Sequence, residues 1–142
     1  MAFLGELRVK ATLENVGTIS RYVHAVGQSL HLSEDTLFDI DLAVEEASVN
    51  IIKHAYPAPG SGDILLHIEA TPDAVSITLT DWGIPIDAAK AQIASLTTPA
   101  AQTHTQDGKG LRLIHAVMDS VMRTTAAEPG LPNTLRLCKR IN

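Results

Sequence analysis

The sequence predicts an α+β fold, a two-layer sandwich with helices on one face of a mixed, mostly antiparallel sheet. Three observations predict it. Two successive segments repeat apolar residues at three- and four-residue steps. Past Pro57 the period changes to short β-rich runs. A third helical pattern and a second pair of strands then follow a long Gly-, Pro-, Thr- and Ala-rich stretch.

The elements follow in order. Residues 3–11 partly alternate apolar and polar, as an edge strand does. Thr12 is placed to cap a helix whose apolar stripe is Leu13, Val16, Ile19, Val23, Val26 and Leu30, ending near His31. Ser33 is the expected cap of a second helix, with Glu34 and Asp35 favourably placed against its N-terminal dipole. Leu37, Ile40, Val44, Ala47 and Ile51 form the buried stripe of that helix, which runs to about Ala55 and is stopped by Pro57, Pro59 and Gly60. Ile64–Ala70 and Ala74–Thr80 read as a hairpin joined at Thr71-Pro72-Asp73. Residues 83–110 read as loop with one short helix near 87–95, and a third helix opens after Gly110. Strands over about 120–126 and 134–140 flank the turn at 128–132. No repeat or linker divides the chain, so one domain over residues 1–142 is expected.

Composition narrows the function classes. Of 142 residues, 45% are hydrophobic and 19% charged, enough for a core and against disorder. The net charge of −5 and the absence of a basic run argue against direct nucleic-acid or anionic-lipid binding. No apolar run approaches the roughly 20 residues that span a bilayer. Cys138 is the single cysteine, which excludes an intrachain disulfide framework and fits a reducing cytoplasm. None of the six histidines has a tight ligand spacing with it, so no structural metal is expected.

Three constellations carry chemistry. Glu46 and Asn50 are four residues apart, about 40° around a helix, and Lys53 falls one turn beyond. A carboxylate, an amide and an ammonium on one face suit a proton, a metal ion and a phosphate; a solvated polar face is the plainer reading. Asp81-Trp82-Gly83-Ile84-Pro85-Ile86-Asp87 leaves a strand end. Its first carboxylate can accept from an exocyclic amine, although Asp-x-Gly turns are common there. Gly108-Lys109-Gly110-Leu111 precedes a helix, where backbone N–H groups and the helix dipole favour an anion.

In this order the three motifs resemble the N, G1 and G2 boxes of the GHKL (Bergerat fold) ATPase superfamily. Asp41–Tyr56 and Gly110–Val121 are similar to the matching segments of its anti-sigma-factor serine/threonine kinases, and Asn133-Thr134-Leu135-Arg136-Leu137 to their last strand. The resemblance covers about residues 8 to 140. It implies that Glu46 is the general base, that Asn50 ligates Mg²⁺ and that Lys53, assisted by His54, offsets phosphate charge. Asp81 would bind the adenine amine of ATP, with Gly83, Ile86 and Thr134 shaping the pocket, while Gly108, Gly110 and the Leu111 N–H hold phosphates. Residues 88–107 would be a lid.

The implied activity is transfer of the γ-phosphoryl group of ATP to a serine or threonine of a small STAS-type anti-sigma-factor antagonist. The implied partners are that antagonist, a sigma factor and a second copy of the chain in a cytoplasmic homodimer. The end of the lid reads Thr105-Gln106-Asp107-Gly108-Lys109-Gly110, where Lys109 is the only positive charge. The alternative is therefore a catalytically weak, nucleotide-gated protein-binding module of the same fold, outside sigma-factor control.

Overall fold

The computed structural model describes residues 2–85, 112–128 and 130–141. Strand β1 (Ala2–Lys10) is followed by helices α1 (Glu14–Ser29) and α2 (Glu34–Asn50) and by a π-helical turn, Ile51–Ala55. Strands β2 (Asp63–Ala70) and β3 (Ala74–Asp81) form the first hairpin, and β4 (Ser120–Thr124) and β5 (Asn133–Arg140) form the second. Residues 112–117 are helical. The sheet order is β1-β2-β3-β5-β4, and its four pairings are all antiparallel.

The alternation of apolar residues explains why the helices cover one face. Ile64, Leu66 and Ile68 of β2, Val75, Ile77 and Leu79 of β3, and Leu135 and Leu137 of β5 are buried together. Ile19 and Val23 of α1 and Ile40, Ala43, Val44 and Ala47 of α2 close the core above them. Ser20 donates to Asp41 between the helices. Lys139 of β5 donates to Asp39 of α2 and to the Val117 carbonyl, tying the layers together at the far end of the sheet.

Helix ends follow local chemistry. Ser33 caps α2, its hydroxyl accepting from Thr36 N–H at 3.2 Å. The expected cap at Thr12 is not made. Leu13 holds the cap position in helical backbone geometry with no side-chain bond, and Leu13 itself is exposed rather than part of the buried stripe. Asn15 instead donates to the Lys10 carbonyl and fixes the chain entering the helix. The end of α1 is a Schellman turn: His31 at φ 58° donates to the Gln28 carbonyl, and Leu32 N–H reaches Gly27.

The second helix departs from a continuous α-helix. Its regular part stops at Asn50, and the next five residues wind more widely. The i→i+5 turn advances fewer degrees per residue, so side chains after Asn50 do not keep the α-helical register expected for them.

Candidate functional site

Asn50 is the last residue of α2 and is buried, 7% exposed, although an amide is costly to bury without partners. Among the described residues no hydrogen bond reaches its side chain. Glu46 lies one helical turn earlier and is half-buried. With Ala47 and Ile51, Asn50 lines a narrow cavity of about 10 Å³ against the sheet, whose other walls are Asp81, Asn133, Thr134, Leu135 and Arg123. The strand-end acid and the helix amide therefore meet at one place, as the motif order requires.

Asp81, the last residue of β3, is 5% exposed and held firmly. Its Oδ1 accepts from the Gly83 N–H at 3.0 Å, closing an Asx turn, and from Asn133 Nδ2 at 3.0 Å. The same amide nitrogen donates to the Gly83 carbonyl at 3.0 Å, and Asn133 Oδ1 accepts from Ala126 N–H. Asn133 is thus the hub that joins β3, β5 and the loop after β4. No hydrogen bond reaches Asp81 Oδ2 among the described residues.

Sequence reasoning missed Asn133 and chose its neighbour. Thr134 borders the cavity, but it pairs with Thr80 and Thr124 and alternates with Asn133 and Leu135, which are buried on the helix side. Its side chain therefore lies on the opposite face of the sheet, and only its backbone can shape the pocket. The signal was present: Leu135 and Leu137 point inward, so by twos Asn133 does as well.

Gly83 has a different task from the one expected. A β-carbon there would lie 2.1 Å from the Ala55 carbonyl oxygen, and Ile84 N–H donates to that carbonyl at 2.7 Å. The glycine lets the loop after β3 dock on the π-turn. It lines a second cavity of about 680 Å³, with Tyr56, Trp82 and Ile84, rather than the one at Asn50. Tyr56 completes this junction by donating to the Asp63 carbonyl at 2.6 Å and accepting from Trp82 N–H at 2.9 Å. Burial raises its phenol pKa, and the charges of Asp81 and Asp63 act in the same direction. The Trp82 ring carries the Arg8 guanidinium 4.8 Å from its centroid, which occupies it structurally.

Lys53 and His54, in the π-turn, are exposed and do not line the cavity with Asn50. The altered winding accounts for this, since Lys53 was placed by extending α-helical angles past Asn50. Ile86, Gly108, Gly110 and Leu111, and the lid over 88–107, lie outside the described residues.

The donor set fits a metal-bound nucleotide. A carboxamide at the cavity wall with no hydrogen bond among the described residues suits a hard cation. The open oxygen of Asp81 suits an amine. Arg123 supplies a positive charge at the same cavity. Burial pulls its guanidinium below the ordinary value, and the Asp81 carboxylate opposes that shift. Among the described residues no helix is long and apolar enough to cross a membrane.

Residues 9–139 match the histidine kinase-like ATPase domain family. The serine-protein kinase RsbW of Bacillus licheniformis is 30% identical over 121 residues, covering 82% of this chain and 74% of the relative. The Staphylococcus aureus protein of the same name is 31% identical over 140 residues, covering 96% and 86%. A crystal structure of the RsbU and RsbW domains of a Mycobacterium tuberculosis protein superposes with a TM-score of 0.67 at 17% identity. It matches 97% of this chain, which spans 33% of that larger one. The chain thus belongs to the histidine kinase-like ATPase domain family, in the group of the RsbW serine-protein kinases.

Proposed function

We propose that this protein is an ATP-dependent serine/threonine kinase and anti-sigma factor, which phosphorylates a small STAS-type antagonist and sequesters a sigma factor. The observation that carries the reading is the meeting of Asn50 and Asp81 around one cavity, with Glu46 one helical turn before Asn50. The names of the relatives supply the serine-kinase half.

In this reading Asp81 Oδ2 accepts from the adenine amine, while Asn133 and the Gly83 N–H hold the carboxylate in place. Asn50 gives its amide oxygen to Mg²⁺, which supplies charge neutralisation at the phosphates when bound. Glu46 takes the proton from the substrate hydroxyl. The hydroxyl oxygen then bonds to the γ-phosphorus, the bond from that phosphorus to the β–γ bridging oxygen breaks, and ADP leaves with that oxygen. Gly108, Gly110 and the Leu111 N–H cradle the phosphates, and Lys53, with His54, contributes positive potential from the helix end. The protein works in the cytoplasm as a homodimer.

The test is transfer from labelled ATP to the cognate antagonist, with co-elution of the sigma factor in ATP and in ADP. Glu46→Ala is expected to cut transfer by about 100-fold or more while leaving nucleotide binding intact. Equal transfer by wild type and variant would remove Glu46 from the base role.

A further inference from the structure

Arg123 has no role in the reading above. It sits in β4, the edge strand, opposite Leu135 in the register. Leu135 is buried toward the helices, so Arg123 lies on the same face, where an apolar residue would be expected. It is half-buried and lines the cavity with Asn50, Asp81 and Asn133. Among the described residues its guanidinium makes no hydrogen bond and no ion pair. A half-buried guanidinium gives up part of its hydration, gaining no hydrogen bond among the described residues in return, and a ligand in the cavity would supply acceptors.

Asp81 presents the complementary half. Gly83 N–H and Asn133 Nδ2 both converge on Oδ1, which leaves one carboxylate oxygen for a ligand. The cavity thus offers a single strong acceptor and, beside it, a group that can only donate. Adenine answers that pattern with one amine flanked by the ring acceptors N1 and N7. Guanine answers it poorly, because its N1–H and N2 amine together call for both carboxylate oxygens.

We infer that Arg123 is a base-reading residue, donating to a ring nitrogen that flanks the adenine amine while Asp81 Oδ2 accepts from the amine. The pair makes this pocket adenine-selective through side-chain donors and acceptors. The inference rests on the nucleotide reading of the site and adds to it a determinant that the three sequence motifs do not contain.

Calorimetric binding of ATP, 1-deaza-ATP, 7-deaza-ATP and GTP to wild type, Arg123→Met and Arg123→Lys tests it. Wild type is expected to bind one deaza analogue, and GTP, about tenfold more weakly than ATP. The analogue that loses affinity identifies the ring nitrogen. Arg123→Met is expected to lose about the same factor for ATP and to bind that analogue and ATP alike, and Arg123→Lys to retain part of the discrimination. The wild-type comparison stands even if a variant fails to fold. Equal binding of ATP and both deaza analogues by wild type, or undiminished discrimination in Arg123→Met, overturns the assignment while leaving nucleotide binding intact. Failure of wild type to bind any of the four nucleotides overturns both readings.

Discussion

Asn133 Nδ2 stands 3.0 Å from Asp81 Oδ1 and 3.0 Å from the Gly83 carbonyl, so one buried amide fixes both the strand-end acid and the loop that follows it. Removing it leaves a buried carboxylate oxygen and a carbonyl each short of a donor. Asn133→Ala is expected to destabilise the fold by about 1–3 kcal/mol, read as a lower urea midpoint, and to weaken nucleotide binding as Asp81 loosens. Thr134→Ala, one residue along on the other face, is expected to change binding far less.

Two glycines give opposite tests of why glycine is used. At Gly83 a new β-carbon meets main-chain atoms, 2.1 Å from the Ala55 oxygen and 2.6 Å from its carbon, which cannot swing aside. Gly83→Ala is expected to cost about 3 kcal/mol or more in chemical denaturation. At Gly130 nothing lies within 4 Å, and only the φ of +89° resists a side chain. Gly130→Ala is expected to cost about 1 kcal/mol.

His31 occupies the left-handed position that closes α1, where glycine is the usual residue. Its side chain is exposed, so replacing it removes little packing. His31→Gly is expected to raise stability by about 1 kcal/mol, measurable as a higher thermal midpoint.

Asp63 gives the fold an acid limb. The hydrogen bond from Arg8 at 2.8 Å, and then the ion pair with Lys10 at 3.0 Å, hold its carboxyl below the usual carboxylate range. A depressed folded value means that the unfolded chain binds the proton first as pH falls. The stabilisation is therefore complete above the ordinary carboxylate value and is lost progressively below it, from about pH 5 downward. Asp63→Asn is expected to flatten that limb in thermal melts run at successive pH values. An unchanged acid limb would show that the pair contributes nothing to folding.

Much of the fold was legible because it rests on period. The stripe Leu37, Ile40, Val44 and Ala47 and the Ser33 cap are local patterns, and the structure reproduces them. The hairpin at Thr71-Pro72-Asp73 was equally local: Thr71 accepts from the N–H groups of Asp73 and Ala74. Thr12 failed as a cap because the helix starts one residue later than the pattern suggests, at Glu14, which puts Leu13 in the cap position.

The site was legible only in part. Asn50 and Asp81, which line one cavity, stand in local motifs, whereas Asn133 and Arg123 reach it through strand register, which brings residues 81, 133 and 123 onto three neighbouring strands. Lys53 was placed by assuming one helical pitch throughout. No local signal announces that the winding widens after Asn50.

That widened turn also has a mechanical consequence. Its final carbonyl, on Ala55, is clasped by Ile84 N–H at 2.7 Å, while the helix it ends carries Glu46 and Asn50. The loop after β3 is thereby pinned to the end of the helix, so the stretch that follows Asp81 and the stretch that follows Asn50 share one anchor.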